Sequence, residues 1–354
     1  MQIALDLAKK GMHTAKPNPR VGCIVVSENK IVGQGWHRQT GEAHAEAIAL
    51  SEAGDKAKDS TVYSTLEPCT HFGQTPPCVE ALIAAAVGKV VYAMEDPNPV
   101  VSGQSRKILE SAEIEVISGV LSQESKDLNI GFHKRMKFGL PYIRTKIAAS
   151  IDGKTALLNG ESQWISSKQS RDDVQLWRAR SCALVTSIDT VIADDPSLNV
   201  RINDFSDIDQ PTRVILDSQL RIRGDYKILK SPGDVIVYSL QQVHNDPIFE
   251  GMIENTNERD GHVSLESVFR DLAKKEINEV MFECGGTLNG ALLKQNFIDE
   301  IIIYLAPCIL GDQANNMFSL PAISAMSERY NFNLIQVDRT GDDIRVVLRK
   351  ANLV

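Results

Sequence analysis

Residues 43–94 read AHAEAIALSEAGDKAKDSTVYSTLEPCTHFGQTPPCVEALIAAAVGKVVYAM. Ala43–Ala53 is rich in Ala and Glu, both strong helix formers, and predicts a helix. Thr61–Leu66 is β-branched and predicts a strand. Cys78–Val87 is again helical in composition, and Lys89–Met94 is strand-like. This alternation predicts a sheet covered by helices. Set into it are three short pieces: His44-Ala45-Glu46 at the start of one helix, Pro68-Cys69 after a strand, and Pro77-Cys78 at the start of the next helix.

The pattern extends both ways. A short helix is expected over 2–10, and strands over Val21–Ser27 and Ile31–His37 around the turn Glu28-Asn29-Lys30. Gln104–Ser111 and Ile114–Ile117 give one more helix–strand pair. Gly and Pro punctuate Phe138-Gly139-Leu140-Pro141, where a boundary is expected between domains 1–141 and 142–354. Strands then follow at Tyr142–Ala149, Cys182–Thr186, Thr212–Leu216, Val235–Tyr238, Val280–Glu283 and Ile298–Leu305. Helices are expected over Asp172–Arg180, Leu265–Lys274 and Thr287–Gln295. Leu334–Val337 and Ile344–Leu348 close as a hairpin. Two α/β units fit a chain of 354 residues, too long for one typical core.

One imidazole and two thiolates suit a tetrahedral, borderline-soft ion, and zinc fits best. Three protein ligands, His44, Cys69 and Cys78, leave a fourth position for water, the arrangement of a catalytic zinc. A structural zinc would recruit a fourth side chain, and His37 or His71 could supply it. Zinc acidifies a bound water, and Glu46, two residues beyond the histidine, can take its proton and return it to a departing amine. The set matches the signature of zinc deaminases of nucleobases, except that eight residues separate the cysteines where two are usual.

Charge narrows the substrate. Residues 1–144 hold 16 basic and 16 acidic residues, and 145–354 hold 22 and 30, which accounts for the net −8. Neither part has the basic excess that a nucleic-acid backbone demands, so a small soluble substrate is expected and nucleic acid is not. No apolar run is long enough to span a bilayer and no signal peptide opens the chain, so a reducing cytoplasm is expected. The six scattered cysteines then read as ligands before disulfides. In the second part, Val280–Gly290 runs a strand into Gly285-Gly286 and a helix, a candidate anion site for a cofactor phosphate, weaker than a full G-x-G-x-x-G fingerprint.

Further motifs surround these residues: Pro17-Asn18-Pro19-Arg20-Val21-Gly22-Cys23, Gly33-x-Gly35-x-His37, Leu66-Glu67-Pro68-Cys69, Thr75-Pro76-Pro77-Cys78 and Asp96-Pro97-Asn98-Pro99. The second part adds Lys146-x-Ala148-x-Ser150-x-Asp152-Gly153-Lys154, Gly160–Ser166, Arg178-Ala179-Arg180 and Thr190–Arg201. Over nearly its whole length the chain resembles the bifunctional riboflavin-biosynthesis deaminase/reductases. The resemblance implies a cytidine-deaminase-like three-layer α/β/α domain followed by a dihydrofolate-reductase-like α/β domain.

It also implies a reaction pair: deamination of 2,5-diamino-6-(5-phosphoribosylamino)pyrimidin-4(3H)-one, then NADPH-dependent reduction of the ribosyl group of 5-amino-6-(5-phosphoribosylamino)uracil. Zinc would sit on His44, Cys69 and Cys78, with Glu46 as the proton shuttle. NADPH would meet Ala148, Trp164, Thr190, Asp194, Ser218 and the loop Gly285, Gly286, Thr287, Leu288, Asn289, Gly290 and Ala291. Substrate would meet Ser162, Arg178, Leu198, Arg201 and Glu283. A homodimer through the reductase domain is expected on the same ground. Asn18 and His71 are candidate contacts at the deaminase rim, although Asn between prolines is also a good turn former. Three positions depart from the family pattern: Gln74 stands where Arg is frequent, and Ser105 and Glu113 where Gly is frequent.

Overall fold

The computed structural model describes residues 1–70, 76–98, 102–202, 208–241, 249 and 251–351. It divides into two compact units, Met1–Leu140 and Pro141–Val354.

The first unit runs α1 (Gln2–Ala8), β1 (Gly22–Ser27), β2 (Lys30–Trp36), α2 (Ala45–Ala53), β3 (Thr61–Leu66), α3 (Cys78–Ala84), β4 (Lys89–Met94), α4 (Gln104–Ser111), β5 (Glu115–Ser118), α5 (Ser122–Leu128) and α6 (Ile130–Phe138). Its sheet has the order β2-β1-β3-β4-β5, with β1 antiparallel to both neighbours and β3, β4 and β5 parallel. Glu28 and Asn29 both take positive φ, 49° and 60°, and close the β1–β2 hairpin with the two-residue turn that matches strand twist.

Side-chain alternation along β1 separates the layers. A Cβ on Gly22 would lie 2.0 Å from the Ala4 carbonyl oxygen, so α1 covers that face. Cys23, pointing the other way, joins the core that α2, α3 and α4 build with the sheet. Gly33 and Gly35 of β2 lie directly under α2: their Cβ atoms would fall 2.0 Å from the Ala49 oxygen and 2.4 Å from the Ala45 oxygen. Leu5, Ala8 and Leu128 join α1 to α5 in the opposite layer.

The second unit continues with β6 (Tyr142–Ser150), β7 (Lys154–Ala156), α7 (Lys168–Arg180), β8 (Ala183–Ser187), α8 (Ile188–Asp194), β9 (Thr212–Leu216), α9 (Lys227–Lys230), β10 (Val235–Ser239), β11 (Ile253–Asn255), β12 (Glu258–Arg259), β13 (His262–Val263), α10 (Leu265–Lys274), β14 (Glu279–Phe282), α11 (Gly286–Lys294), β15 (Glu300–Ala306), β16 (Asn315–Asn316), β17 (Phe332–Thr340) and β18 (Asp343–Lys350). A nine-stranded sheet orders these β11-β10-β9-β8-β14-β6-β15-β18-β17. It is parallel from β11 to β15 and closes with the antiparallel β18 and β17. Ser167, Ser187 and Ser264 cap α7, α8 and α10, each hydroxyl accepting an N–H of the first turn.

At the centre of this sheet Arg144, only 1% exposed, is held between Glu279 and Glu300, and Arg180 joins Glu279 at 3.0 Å. A buried guanidinium is tolerated only when compensated in this way. No helix among the described residues is long and apolar enough to cross a membrane.

Candidate zinc centre and reductase cleft

In the first unit the sheet brings together what the sequence separates. His44 caps α2 and Cys78 opens α3, while Cys69 ends the loop after β3. The His44 Nδ1 lies 3.1 Å from Cys78 Sγ and 3.4 Å from Cys69 Sγ, and the three donor atoms all lie within 4.8 Å of one another. The edges of a tetrahedral zinc site with Zn–S of about 2.3 Å and Zn–N of about 2.0 Å are of this size. The donor set therefore fits zinc, through Nδ1 of the histidine. The Cys78 N–H donates to Cys69 Sγ at 3.2 Å. Hydrogen bonds from Cys78 and His44 hold the Cys69 thiol well below its ordinary pKa despite burial, which favours the thiolate a metal needs.

Glu46, on the first turn of α2, is 3% exposed. Its Oε1 accepts from Ser64 Oγ at 2.8 Å, and its Oε2 lies 3.5 Å from Cys78 Sγ. Burial raises its pKa, with the charge of His44 opposing. A carboxyl so placed can hold a proton beside the metal position without ligating.

His37 settles one alternative. Its ring meets that of His44 edge-on at 5.7 Å, but Nδ1 faces the Ala43 carbonyl oxygen at 3.3 Å and Nε2 faces Asn18 Nδ2 at 3.1 Å. With both nitrogens engaged, it is not a fourth ligand. His71 and Gln74 lie outside the described residues.

The Ser105 departure has a local explanation. Glu67 is 2% exposed, and its carboxylate accepts from the N–H groups of Asp96, Gly103 and Ser105 and from Ser105 Oγ. The serine hydroxyl adds a bond that glycine would lack. Glu113 takes a φ of +63°, a conformation glycine adopts at less cost.

In the second unit a cleft of about 1630 Å³ lies over the C-terminal ends of the parallel strands, where open α/β sheets receive their ligands. Ala148, Ser162, Trp164, Arg178, Thr190, Asp194, Leu198, Arg201, Ser218, Glu283, Gly285, Gly286, Thr287, Leu288 and Ala291 line it. Asn289 and Gly290 do not, and this corrects the expected loop. The Asn289 side chain accepts from Thr145 Oγ1 at 2.6 Å and donates to the Met317 carbonyl. A Cβ on Gly290 would lie 2.1 Å from the Ser319 oxygen, and one on Gly286 2.3 Å from the Asn316 oxygen. These two glycines make room for the 316–319 segment. Gly285 alone of the three has open space, at the N-terminus of α11.

Glu283 anchors the other side. Arg178 grips it with two bonds, 2.6 and 3.1 Å, and Lys146 reaches it at 3.2 Å. Burial alone would raise the Glu283 pKa, but Arg178 and Lys146 drive it far below the usual carboxylate range. Sequence reasoning left Lys146 without a role, although it lines the cleft and pairs with Glu283. Arg201 stands close enough to Arg178 to feel its charge. Burial pushes the Asp194 carboxyl upward, with Lys146 opposing. Leu198 takes a φ of +44° and its side chain is buried, so only its backbone can serve a ligand. Ser218 Oγ accepts from the Val263 N–H at 3.0 Å.

Residues 1–94 match the model of the cytidine and deoxycytidylate deaminase zinc-binding region, and residues 141–346 that of the RibD C-terminal domain. The chain belongs to the RibD family. It is 43% identical to the riboflavin biosynthesis protein RibD of Escherichia coli, covering 97% of this chain and 96% of that protein, and 43% identical to RibD of Haemophilus influenzae, covering 98% and 95%. A solved structure of Acinetobacter baumannii RibD superposes with a TM-score of 0.93 at 42% identity, covering 99% of this chain and 98% of that one. A deaminase/reductase structure from Thermotoga maritima gives 0.88 at 31% identity, covering 99% and 97%. As a RibD, this chain is a bifunctional deaminase and reductase of riboflavin biosynthesis, with a zinc-binding deaminase domain and an NADPH-using reductase domain.

Proposed function

We propose that the first unit removes the 2-amino group of 2,5-diamino-6-(5-phosphoribosylamino)pyrimidin-4(3H)-one, with His44, Cys69 and Cys78 as the zinc ligands and Glu46 as the proton carrier. Zinc held there supplies a Lewis acid that acidifies water at neutral pH. Glu46 takes a proton at Oε2, and Ser64 fixes the orientation of the carboxylate. A carbon–oxygen bond forms at C2, the carbon–nitrogen bond breaks, and Glu46 returns the proton to the leaving nitrogen, so that ammonia departs. The observation that carries this reading is the buried Glu46 carboxylate, 3.5 Å from one sulfur of a three-donor cluster.

The second unit then reduces 5-amino-6-(5-phosphoribosylamino)uracil to the ribityl compound. NADPH supplies the hydride. Ala148, Trp164, Thr190, Asp194, Ser218 and the open turn at Gly285 are assigned to the cofactor. Ser162, Arg178, the Leu198 backbone, Arg201 and Glu283 are assigned to the substrate. Arg201 is suited to the phosphate, because Arg178 is already paired with Glu283. Asp194, kept protonated more readily by burial, is placed to give a proton to the opening sugar.

In the test, Glu46→Ala retains zinc and loses ammonia release by about 10²- to 10⁴-fold, while NADPH oxidation continues when the second substrate is supplied. Loss of both activities, or of neither, overturns the roles. A homodimer through the second unit and a cytoplasmic location belong to the same reading. In support of the dimer, the edge strand β17 exposes Leu334, Ile335 and Val337. Sedimentation of wild-type and Leu334→Glu protein checks it, and a wild-type monomer refutes it.

A further inference from the structure

We infer that His37 is a positioning residue of the deaminase: through its tautomer it fixes which face of the Asn18 amide the substrate meets. The inference rests on the reading above that Asn18 lines the deaminase site.

A carbonyl oxygen can only accept, so the 3.3 Å contact between His37 Nδ1 and the Ala43 oxygen places the ring proton on Nδ1. The ring is buried beside His44, where the neutral form is favoured. A neutral ring protonated at Nδ1 offers only a lone pair at Nε2. Asn18 must therefore present its NH₂ across the 3.1 Å contact. Its Oδ1 is turned away from His37 and meets no protein donor among the described residues. The amide is thus held as a fixed acceptor for an N–H or O–H of the substrate.

The same ring serves the metal side. Ala43 immediately precedes the ligand His44, so one imidazole ties the Pro17-Asn18-Pro19 turn to the backbone that delivers the zinc ligand. A rotating Asn18 would present NH₂ and carbonyl equally and lose selectivity for a donor. The null alternative is that His37 merely fills space, in which case its hydrogen-bonding pattern is irrelevant.

The two alternatives separate with conservative variants in the full-length zinc enzyme. The side-chain oxygen of His37→Gln can take the place of Nε2 and accept from Asn18. The amide of His37→Asn can take the place of Nδ1 and reach only Ala43. We expect Asn18→Ala and His37→Asn each to lower kcat/KM for ammonia release by about 10-fold or more, chiefly through KM, with zinc content unchanged by metal analysis. His37→Gln should recover most of the loss. The double variant His37→Asn with Asn18→Ala should be no worse than Asn18→Ala alone. If Asn18→Ala is silent, the assignment of Asn18 to the site fails. If Asn18→Ala is impaired but His37→Gln and His37→Asn behave alike, or the double variant shows multiplied losses, the positioning role fails. Zinc loss in both His37 variants likewise overturns it in favour of a structural role.

Discussion

His44, Cys69 and Cys78 were legible because each sits at an element end that composition marks: a helix start, a strand exit and a second helix start. Their partners were not. Glu67 closes its four hydrogen bonds with residues 29 to 38 positions away, and no local pattern announces such a carboxylate. Ser64 looks like any inward strand residue until β3 is laid beside α2. Glu283 yields a prediction of pH dependence. Its folded-state pKa is depressed below the ordinary 4.5, so its contribution to stability is complete above that value and is lost as pH falls through the depressed one. Thermal melts of the second unit should hold from neutral pH to about pH 5 and fall below about pH 4. Glu283→Gln should flatten that slope and cost about 3 kcal/mol at pH 7, because Arg178 and Lys146 are left uncompensated. A steep acid slope that survives the substitution would refute the assignment.

Among the elements, β3, β4, α4, β9 and α10 occupy the residues their composition predicts. The helix α7 begins at Lys168, four residues before the expected start, because Lys168-Gln169-Ser170-Arg171 has no apolar member to mark a buried face. Its cap Ser167 was the available signal. Helices α5 and α6 went unread, since Ser122–Leu128 and Ile130–Phe138 are short and mostly polar, and only packing on the sheet makes such segments helical. The contact between β2 and α2 gives a prediction at this scale. Gly35→Ala would drive a methyl group into the Ala45 carbonyl and lift the turn that carries His44 and Glu46. Overpacking of this kind costs about 1–3 kcal/mol, and competition with a chromogenic chelator should show zinc affinity reduced by about 10- to 100-fold. The equivalent change at Gly290, where Cβ would meet the Ser319 carbonyl, should weaken NADPH binding in fluorescence titration while leaving zinc affinity alone.

Across the whole molecule, the donor cluster lies in Met1–Leu140 and the cleft in Pro141–Val354. Removing zinc with a chelator should therefore abolish ammonia release and leave the rate of NADPH oxidation with the second substrate unchanged. A parallel loss of both activities would mean that the reductase also depends on metal. Composition alone could set the class of chain and exclude polymer substrates, but it could not name the pathway. That came from motifs spread over both units, because the chemistry of each site draws on residues far apart in sequence.

The closeness of Cys69 and Cys78 sulfurs has a consequence for handling the protein. With the metal in place both thiolates are occupied. Once it is stripped, the two lie within reach of each other, one activated and the other able to pair with it. Dissolved oxygen can then take two electrons and two protons from the pair and leave a disulfide. Protein stored in air without zinc should lose two titratable thiols, and added zinc should restore deamination only after treatment with a thiol reductant.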